Sequence, residues 1–211
     1  MENSVTIKGK DVSTAMVRVG NALIREKDYL TSLDQAMGDG DLGITTSKAG
    51  EALIAFAQTD PAGDLGKYLA QAGMKVNSAA PSTMGTLLAT GLMQAGKAVK
   101  GAEELDGSDL SAMLKAAFEG MMARGKAKLG DKTILDALGP AADTFEKAVS
   151  EGDDLSTAGD KMIAAAEKGL AAVTPLQSHI GRASWVGERT KGLVDPGCAA
   201  LVVILKAIVE G

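Results

Sequence analysis

The chain has 211 residues, of which 45% are hydrophobic, 23% charged and only 3% aromatic. This length suits one large domain or two small ones, with a core built from aliphatic residues and methionine. The formal net charge of -5 argues against a nucleic-acid partner, since binding a phosphate backbone needs a basic surface. A single cysteine excludes an intrachain disulfide, and no apolar run reaches the ~18 residues of a membrane span. We therefore expect a cytoplasmic protein without a membrane segment.

Apolar residues recur at helical spacing along most of the chain. The interruptions predict short loops and one long loop, 174–197, which we interpret as a flap over a ligand. The short loops are predicted near 34–43, 59–63, 79–82, 100–107, 126–133 and 151–154. The stretch Leu201–Leu205 is rich in β-branched residues, but the length of its segment and the alanines before it favour a helix. The pattern predicts one all-α domain of about eight amphipathic helices, near 12–23, 44–58, 64–78, 83–99, 110–121, 134–150, 155–172 and 197–209.

An acidic, glycine-rich stretch, LDQAMGDGDLG, occupies residues 33–43. Its three carboxylates, Asp34, Asp39 and Asp41, would repel one another without a cation between them. Carboxylate oxygens are preferred ligands of Mg²⁺, and the glycines would let the backbone turn sharply enough for the acids to converge. Because Asp and Gly are also common in solvated turns, the local sequence supports a plain turn equally well.

Two stretches imitate nucleotide-binding fingerprints, and we reject both. Gly38, Gly40 and Gly43 fit GxGxxG, but the segment before them is predicted helical, whereas a dinucleotide-binding fold requires a strand there. The stretch 120–127 nearly fits the P-loop. However, Ala127 stands where that motif needs a hydroxyl, and the stretch ends a predicted helix instead of following a strand.

Three other loops carry candidate ligand-binding residues. The stretches 77–91 and 130–136 can each be explained as the capped start of a helix, and this simpler interpretation is favoured for both. The stretch 181–197, GRASWVGERTKGLVDPG, fits a ligand clamp better than a flap held by internal salt bridges. Within it, Arg182 suits a phosphate group, whereas Trp185, the only tryptophan, would either anchor a lid or face a partner.

Covalent catalysis is not expected from this chain. His179 is the only histidine and Cys198 the only cysteine, so sites built on several histidines are excluded. Cys198 falls in a predicted buried helix, where packing is its expected role. The residues instead predict a site that binds metal and phosphate.

Three stretches taken together resemble the nucleotide-binding L subunit of dihydroxyacetone kinase: LDQAMGDGDLG at 33–43, GDKT at 130–133 and GRASWVGERTKGLVDPG at 181–197. They occur in the order of that family, and the similarity covers about 11–209. The resemblance implies a barrel of eight antiparallel amphipathic helices, with the nucleotide at one end beneath a capping loop. It also implies that 1–211 forms one nucleotide-binding domain.

By the same resemblance, Asp34, Asp39 and Asp41 bind two Mg²⁺ ions that hold the diphosphate of ADP or ATP. Arg182 is the implied catalytic residue, which neutralises charge on the transferred phosphoryl group. Dihydroxyacetone is held on a histidine of a separate K subunit, and in the phosphotransferase-coupled version an M subunit rephosphorylates the bound ADP. A homodimer is a further expectation. The implied nucleotide contacts are Leu42, Gly43, Ile44, Thr45, Ala79, Ala80, Gly125, Ile134, Arg182, Val194, Asp195 and Pro196.

Two positions depart from the family pattern. Leu42 stands where histidine is frequent, and Ala80-Pro81-Ser82 replaces a turn that is usually richer in glycine, with Pro81 removing a backbone donor. Two alternatives therefore stay open. One is a kinase component that exchanges free ATP and acts on another small ketose. The other is a nucleotide-binding regulatory module that contacts a transcription factor through the flap carrying Trp185.

Overall fold

Helices dominate the computed structural model, which describes residues 6–61 and 63–209. Two very short strands pair antiparallel, with Ile7 opposite Leu105 and Lys8 opposite Glu104. A 3-10 helix, Gly187–Thr190, precedes the last α-helix. The other elements in chain order are β1 (Ile7–Lys8), α1 (Gly9–Arg25), α2 (Lys27–Met37), α3 (Leu42–Phe56), α4 (Leu65–Ala79), α5 (Thr83–Ala98), β2 (Glu104–Leu105), α6 (Gly107–Gly125), α7 (Leu135–Ser150), α8 (Leu155–Val173), α9 (Ala183–Val186) and α10 (Pro196–Val209).

Eight of the helices form a closed ring. Helices α3 to α8 pack successively in chain order, α8 packs on α10, α10 packs on α1, and α1 packs on α3. The all-α prediction is therefore confirmed, and the eight predicted segments correspond to α1, α3 to α8 and α10. Helix α2 packs on α3 and α10, and the four-residue α9 adjoins the 3-10 helix.

Two of the predicted loops contain helix. The predicted loop 34–43 is shorter, because α2 continues through Asp34 to Met37 and α3 begins at Leu42. Only Glu26 separates α1 from α2, so no glycine or proline marks their boundary in the sequence. The predicted flap 174–197 contains α9 and the 3-10 helix, both too short to show a helical period.

The core is aliphatic and fills the ring as two main clusters. The predicted apolar face of α1 is buried and packs with residues of α3, α4 and α5. A second cluster joins α6, α7, α8 and α10. Burial of this apolar surface is the main force that holds the ring closed. None of the described helices combines the length and apolar character needed to cross a bilayer.

Helices α1 and α3 run antiparallel and approach each other closely. Gly20 of α1 faces Gly50 of α3, and a Cβ atom at either residue would overlap the backbone carbonyl oxygen of the other. Gly9, at the start of α1, lies against Pro61, beyond the end of α3. Small residues at the crossing therefore set the spacing of this helix pair.

Antiparallel packing gathers alternate helix ends at the same end of the ring. The end that receives the C-terminus of α2 also holds the first turns of α3, α5, α7 and α10. The first turn of a helix presents N–H groups without intrahelical acceptors, which favour anions. The topology thus places four such turns around one opening, and the acidic stretch lies beside them.

Candidate functional site

The three candidate metal ligands converge where α2 ends and α3 begins. Asp34 lies in the last turn of α2, whereas Asp39 and Asp41 lie in the short turn before α3. One carboxylate oxygen of each residue lies within 4.8 Å of the others. Between the last two, Gly40 adopts φ 76°, a left-handed conformation that glycine reaches without steric cost. We call residues 34–41 the acidic loop.

The donor set of the acidic loop suits a hard divalent cation. Asp34 Oδ2 accepts a hydrogen bond from the Leu42 N–H at 3.1 Å, which holds this carboxylate at the start of α3. Partial burial, and then the nearby charge of Asp34, raise the pKa of Asp41. Both causes penalise the negative charge on Asp41, and a cation among the carboxylates would relieve the second. Carboxylates in this arrangement fit Mg²⁺, the ion that the sequence predicted.

A second loop brings a positive charge to the acidic loop. We call residues 174–192 the capping loop. Arg182, at the start of α9, forms ion pairs with Asp39 and Asp41, and its Nη1 lies 3.3 Å from Asp41 Oδ2. All three side chains are about half exposed, so water screens these pairs and each is weak. Arg182 and the predicted metal ligands therefore share one site, and the guanidinium can exchange its carboxylate partners for another anion.

The first turn of α3 carries four predicted nucleotide contacts, Leu42–Thr45. Three of the four residues are buried, whereas Ile44 is 47% exposed. A Cβ atom at Gly43 would overlap the Lys27 carbonyl oxygen and the Thr31 hydroxyl of α2. Glycine at this position therefore allows α2 to cross close to α3, which sets the distance between Asp34 and the N–H groups of α3.

A hydrogen bond joins α3 to the connection between α4 and α5. Thr45 Oγ1 donates to Ser82 Oγ at 3.2 Å. Ser82 also caps α5, because its hydroxyl oxygen accepts from the Gly85 N–H at 3.0 Å, which confirms the capped helix start predicted in the stretch 77–91. Ala79 and Ala80, two further predicted contacts, lie at the end of α4 just before this connection. They are therefore neighbours of the first turn of α3.

The predicted contacts of α6 and α7 lie at the same end of the ring. Gly125 ends α6, and an added Cβ atom there would meet only Leu87 of α5, at an ordinary van der Waals distance. Ile134 immediately precedes α7 and is almost fully buried.

The last group of predicted contacts, Val194–Pro196, leads into α10. Val194 packs with Leu42 in a small apolar cluster. Asp195 is buried and caps α10, since its Oδ1 accepts from the Cys198 N–H at 2.7 Å. Burial raises the pKa of Asp195 to about 6. The side chain of Asp195 therefore supports the start of α10 from within the protein.

Sequence reasoning missed a buried lysine at the base of the capping loop. The stretch 130–136 was expected to be the capped start of a helix, but Ile134, which precedes α7, makes no side-chain capping bond. Asp136, in the first turn of α7, instead accepts at Oδ2 from the Thr133 N–H at 2.7 Å. Lys132, however, is only 1% exposed. No sequence pattern could reveal this, because its partners are backbone atoms more than 40 residues away. Its Nζ donates to the carbonyl oxygens of Thr174, Leu176 and Thr190, at 2.9, 3.0 and 2.6 Å.

Trp185 is 91% exposed on α9. A side chain that anchored a lid would be packed, so the structure favours the alternative in which Trp185 faces a partner. The capping loop also contains an internal salt bridge, with Lys191 Nζ 2.9 Å from Glu188 Oε1. The loop therefore combines the two properties that the sequence presented as alternatives, a clamp residue and internal ion pairing.

Cys198 is poorly suited to covalent catalysis, and His179 lies on the surface of the capping loop. The Cys198 thiol is fully buried and donates to the Thr133 carbonyl oxygen at 2.9 Å. Burial also raises the pKa of this thiol, which disfavours the reactive thiolate. The predicted packing role of Cys198 is thus confirmed. His179 is exposed, and its backbone N–H donates to the Asp131 carbonyl oxygen at 3.3 Å.

The chain is similar to known kinase subunits over most of its length. The family model described as the DAK2 domain matches residues 36–210, which include Asp39, Asp41 and the capping loop. The ADP-binding subunit DhaL of the PEP-dependent dihydroxyacetone kinase of Escherichia coli (strain K12) is 29% identical over 197 residues, covering 92% of each chain. The corresponding subunit of kinase 1 of Listeria innocua serovar 6a is 33% identical over 192 residues, covering 90% of each chain.

Similar domains also occur within longer proteins. The D-erythrulose kinase of Mycolicibacterium smegmatis is 28% identical over 202 residues, which cover 94% of this chain but 35% of that protein. The crystal structure of the dihydroxyacetone kinase from C. freundii in complex with AMP-PNP and Mg²⁺ matches with a TM-score of 0.71. The match covers 94% of this chain and 33% of that one, at 22% identity, and establishes a common fold. This chain thus spans about a third of these longer proteins.

Proposed function

Because the chain belongs to the DAK2 domain family, whose members compared above are kinases, we propose that this phosphotransferase is the nucleotide-binding subunit of a dihydroxyacetone kinase. ADP or ATP binds at the end of the ring that holds the first turns of α3, α5, α7 and α10. The terminal phosphoryl group lies at the acidic loop and passes to dihydroxyacetone on a separate K subunit. Residues 1–211 act as one nucleotide-binding domain, and its compartment is the cytoplasm, as the sequence predicts.

The meeting of Arg182 with Asp39 and Asp41 is the observation that carries this proposal. A guanidinium, a carboxylate cluster and helix N-termini together provide the charges that a metal-bound polyphosphate needs. Asp34, Asp39 and Asp41 would hold two Mg²⁺ ions. When bound, these ions would neutralise the negative charge of the phosphate groups. Asp34 is already oriented by the Leu42 N–H, and the remaining carboxylates share Arg182.

Arg182 is the proposed catalytic residue. Its guanidinium reaches the acidic loop from the capping loop, so a phosphoryl group bound there would lie within its range. The guanidinium would stabilise the negative charge on that group during transfer, and the loop that carries it would limit access of water. Because its carboxylate pairs are exposed and weak, their exchange for phosphate oxygens costs little.

The acceptor hydroxyl is proposed to come from another polypeptide. The buried Cys198 supports this division, since its thiol is not suited to form a covalent intermediate with the substrate. The exposed Trp185 beside Arg182 supports docking of the K subunit against the capping loop. The relatives named as PEP-dependent support an M subunit as phosphoryl donor to bound ADP. A homodimer stays an expectation from the family resemblance.

A second candidate function is an ATP-exchanging kinase component for another small ketose. The similarity to a D-erythrulose kinase favours it. The departure at Leu42 also bears on it, because this side chain is buried against Leu30 and Ala199 and does not offer the donor that a histidine would. A regulatory module, the third interpretation, would use the same nucleotide site without transferring phosphate.

The test combines nucleotide analysis with transfer assays. Phosphorus NMR of the purified protein should find retained ADP, which is released when EDTA removes divalent ions. With the cognate K subunit, a phosphohistidine M subunit should then drive phosphorylation of dihydroxyacetone. Turnover with free ATP alone, and a higher kcat/KM with erythrulose, would favour the second candidate. Nucleotide retention without transfer to any small ketose would overturn the proposal in favour of the regulatory module.

A further inference from the structure

We propose that Lys132 is a positioning residue, which fixes the base of the capping loop and thereby sets where Arg182 meets the acidic loop. The effect on catalysis rests on the proposed function. The effect on the capping loop does not, because it follows from contacts within this chain.

Every donor of the Lys132 ammonium group has an acceptor in the capping loop. Two acceptors, the carbonyl oxygens of Thr174 and Leu176, belong to the segment that enters the loop. The third, the carbonyl oxygen of Thr190, belongs to the segment that leaves it. The side chain thus links the two segments of one loop, and a charged donor makes each of these hydrogen bonds stronger than a neutral one would be.

Two hydrogen bonds between the entering and leaving segments also hold the base of the loop. The Gly192 N–H donates to the Thr174 carbonyl oxygen at 2.9 Å, which closes the loop upon itself. The Ser178 N–H donates to Thr190 Oγ1 at 2.9 Å, and Thr190 is fully buried. Arg182 lies beyond this base in an exposed segment. Its position over the acidic loop therefore depends on how firmly the base is held.

The backbone turn that contains Lys132 is held in a fixed conformation and contacts the capping loop. Lys132 has φ 62°, a left-handed conformation that is unfavourable for a residue with a Cβ atom. The turn that imposes it is fixed by Asp131, whose Oδ2 accepts from the Lys128 N–H at 2.8 Å. The Asp131 carbonyl oxygen also accepts from the His179 N–H of the capping loop. The turn and the loop are thus joined by a backbone bond beside the lysine.

Burial of a lysine needs compensation, and the surroundings supply it. Desolvation lowers the pKa of Lys132, and the negative charge of the buried Asp195 opposes that shift. Asp195 caps α10, so the ammonium group also couples the capping loop electrostatically to the first turn of α10. A neutral apolar side chain in this place would remove the charged donor from all three carbonyl oxygens. Those of Thr174 and Thr190 would keep only the backbone N–H groups of Gly192 and Leu193.

The first measurement is local and independent of activity. Lys132→Met keeps an unbranched side chain, one atom shorter, and removes all three donors, and Lys128→Met changes an exposed lysine of the same turn as control. In Lys132→Met, hydrogen–deuterium exchange over 177–192 and tryptic cleavage after Arg182 and Arg189 should become at least tenfold faster. Exchange in α1 and α3 should stay unchanged, and Lys128→Met should resemble the parent. Equal acceleration throughout the chain, or none in the capping loop, would overturn the proposal.

The second measurement separates positioning from general stability. In the complex with the K subunit, Lys132→Met should lower kcat for phosphoryl transfer at least tenfold. Mn²⁺ binding at the acidic loop, followed by electron paramagnetic resonance, should stay within twofold of the parent. Should Lys132→Met fail to fold, Lys132→Gln retains two N–H donors and should give intermediate protection of the loop. Accelerated loop exchange in a protein whose parent transfers no phosphate would support the positioning role and refute the proposed function.

Discussion

Of the three carboxylates in the acidic loop, Asp39 can be replaced with the least disturbance of the fold, because it is exposed and precedes the first turn of α3. Asp39→Asn keeps the size of the side chain and removes one of the charges that would hold the metal. We expect the affinity for ADP with Mg²⁺ to fall more than tenfold, or about 1.4 kcal/mol, by isothermal titration calorimetry. Asp143→Asn, at an exposed position on α7, should leave the affinity unchanged. Equal affinities in the two variants would remove Asp39 from the site.

Arg182 and Arg189 allow a matched comparison within the capping loop, since both are exposed arginines. Arg182→Gln removes the guanidinium that pairs with Asp39 and Asp41. We expect the transfer rate to dihydroxyacetone on the K subunit to fall about 10²–10³-fold, as for the loss of one preorganised charge-stabilising donor. Arg189→Gln should transfer at the parent rate. A similar loss in both variants would indicate a general effect of loop charge.

Asp195 gives the stability of the fold a pH dependence. Burial raises its pKa from 3.8 to about 6, so between these values the native state holds a proton that the unfolded chain has released. Its contribution to the free energy of unfolding is therefore fully present below about pH 4 and declines towards pH 6. Asp195→Asn should remove this decline, which amounts to about 1–3 kcal/mol. Urea unfolding at pH 4, 5, 6 and 7 measures it, and an unchanged profile in the variant would assign the slope to other groups.

At the scale of elements, the crossing of α2 and α3 fixes the geometry of the acidic loop. Gly43→Ala would drive a methyl group into the Lys27 carbonyl oxygen and the Thr31 hydroxyl. We expect the free energy of unfolding to fall by about 1–3 kcal/mol through overpacking, with weaker nucleotide binding because Asp34 and the start of α3 separate. Thermal unfolding and ADP titration check both effects.

Gly125→Ala is the matched control for stability, because α6 has room for a methyl group at that residue. Its melting temperature should equal or slightly exceed that of the parent, since alanine favours a helix over glycine by about 0.5–1 kcal/mol. A comparable loss of stability in both variants would show that the close crossing of α2 and α3 is not the cause.

The helices were largely predictable from the sequence, and their boundaries were predictable where a cap or a glycine marks them. The start of α5 at Ser82 and that of α6 at Asp106 follow from capping side chains. The start of α2 does not, because its apolar stripe continues that of α1 past Glu26. The role of Lys132 could not be predicted either, since hydrogen bonds to distant carbonyl oxygens leave no periodic pattern in the sequence.

At the scale of the whole molecule, ligand binding should stabilise the entire ring, because the proposed nucleotide contacts come from α3, α4, α6 and α10 and the segment before α7. At a nucleotide concentration near 100 times Kd, binding adds about 2.7 kcal/mol to the free energy of unfolding. For a domain of this size, that corresponds to a rise of roughly 5–10 °C in Tm. ADP with Mg²⁺ should give this rise in differential scanning fluorimetry, and EDTA should abolish it. A rise that persists in EDTA would contradict metal-dependent binding.

The closure of the ring and the assembly of the site could not be derived from periodicity. Helical spacing identifies a buried face but not its neighbour, so the contact of α1 with α10 was implied only by the family resemblance. The meeting of Arg182 with Asp41 joins residues 141 positions apart. The arginine and the aspartate could each be identified as candidates in the sequence, but only the antiparallel order of the helices brings the two side chains to the same end of the ring.

The contact between α1 and α10, which closes the ring, determines how this domain can be built into larger proteins. Helices α1 and α10 lie side by side, with Arg18 Nη2 donating to the Ile208 carbonyl oxygen at 2.8 Å. Gly9, where α1 begins, and Val209, where α10 ends, both lie at the end of the ring opposite the acidic loop. A neighbouring domain fused to either helix would therefore attach on the far side and leave the nucleotide end open. The ring is thus a cassette, suited equally to a separate subunit, as in DhaL of Escherichia coli, and to one third of a longer kinase chain.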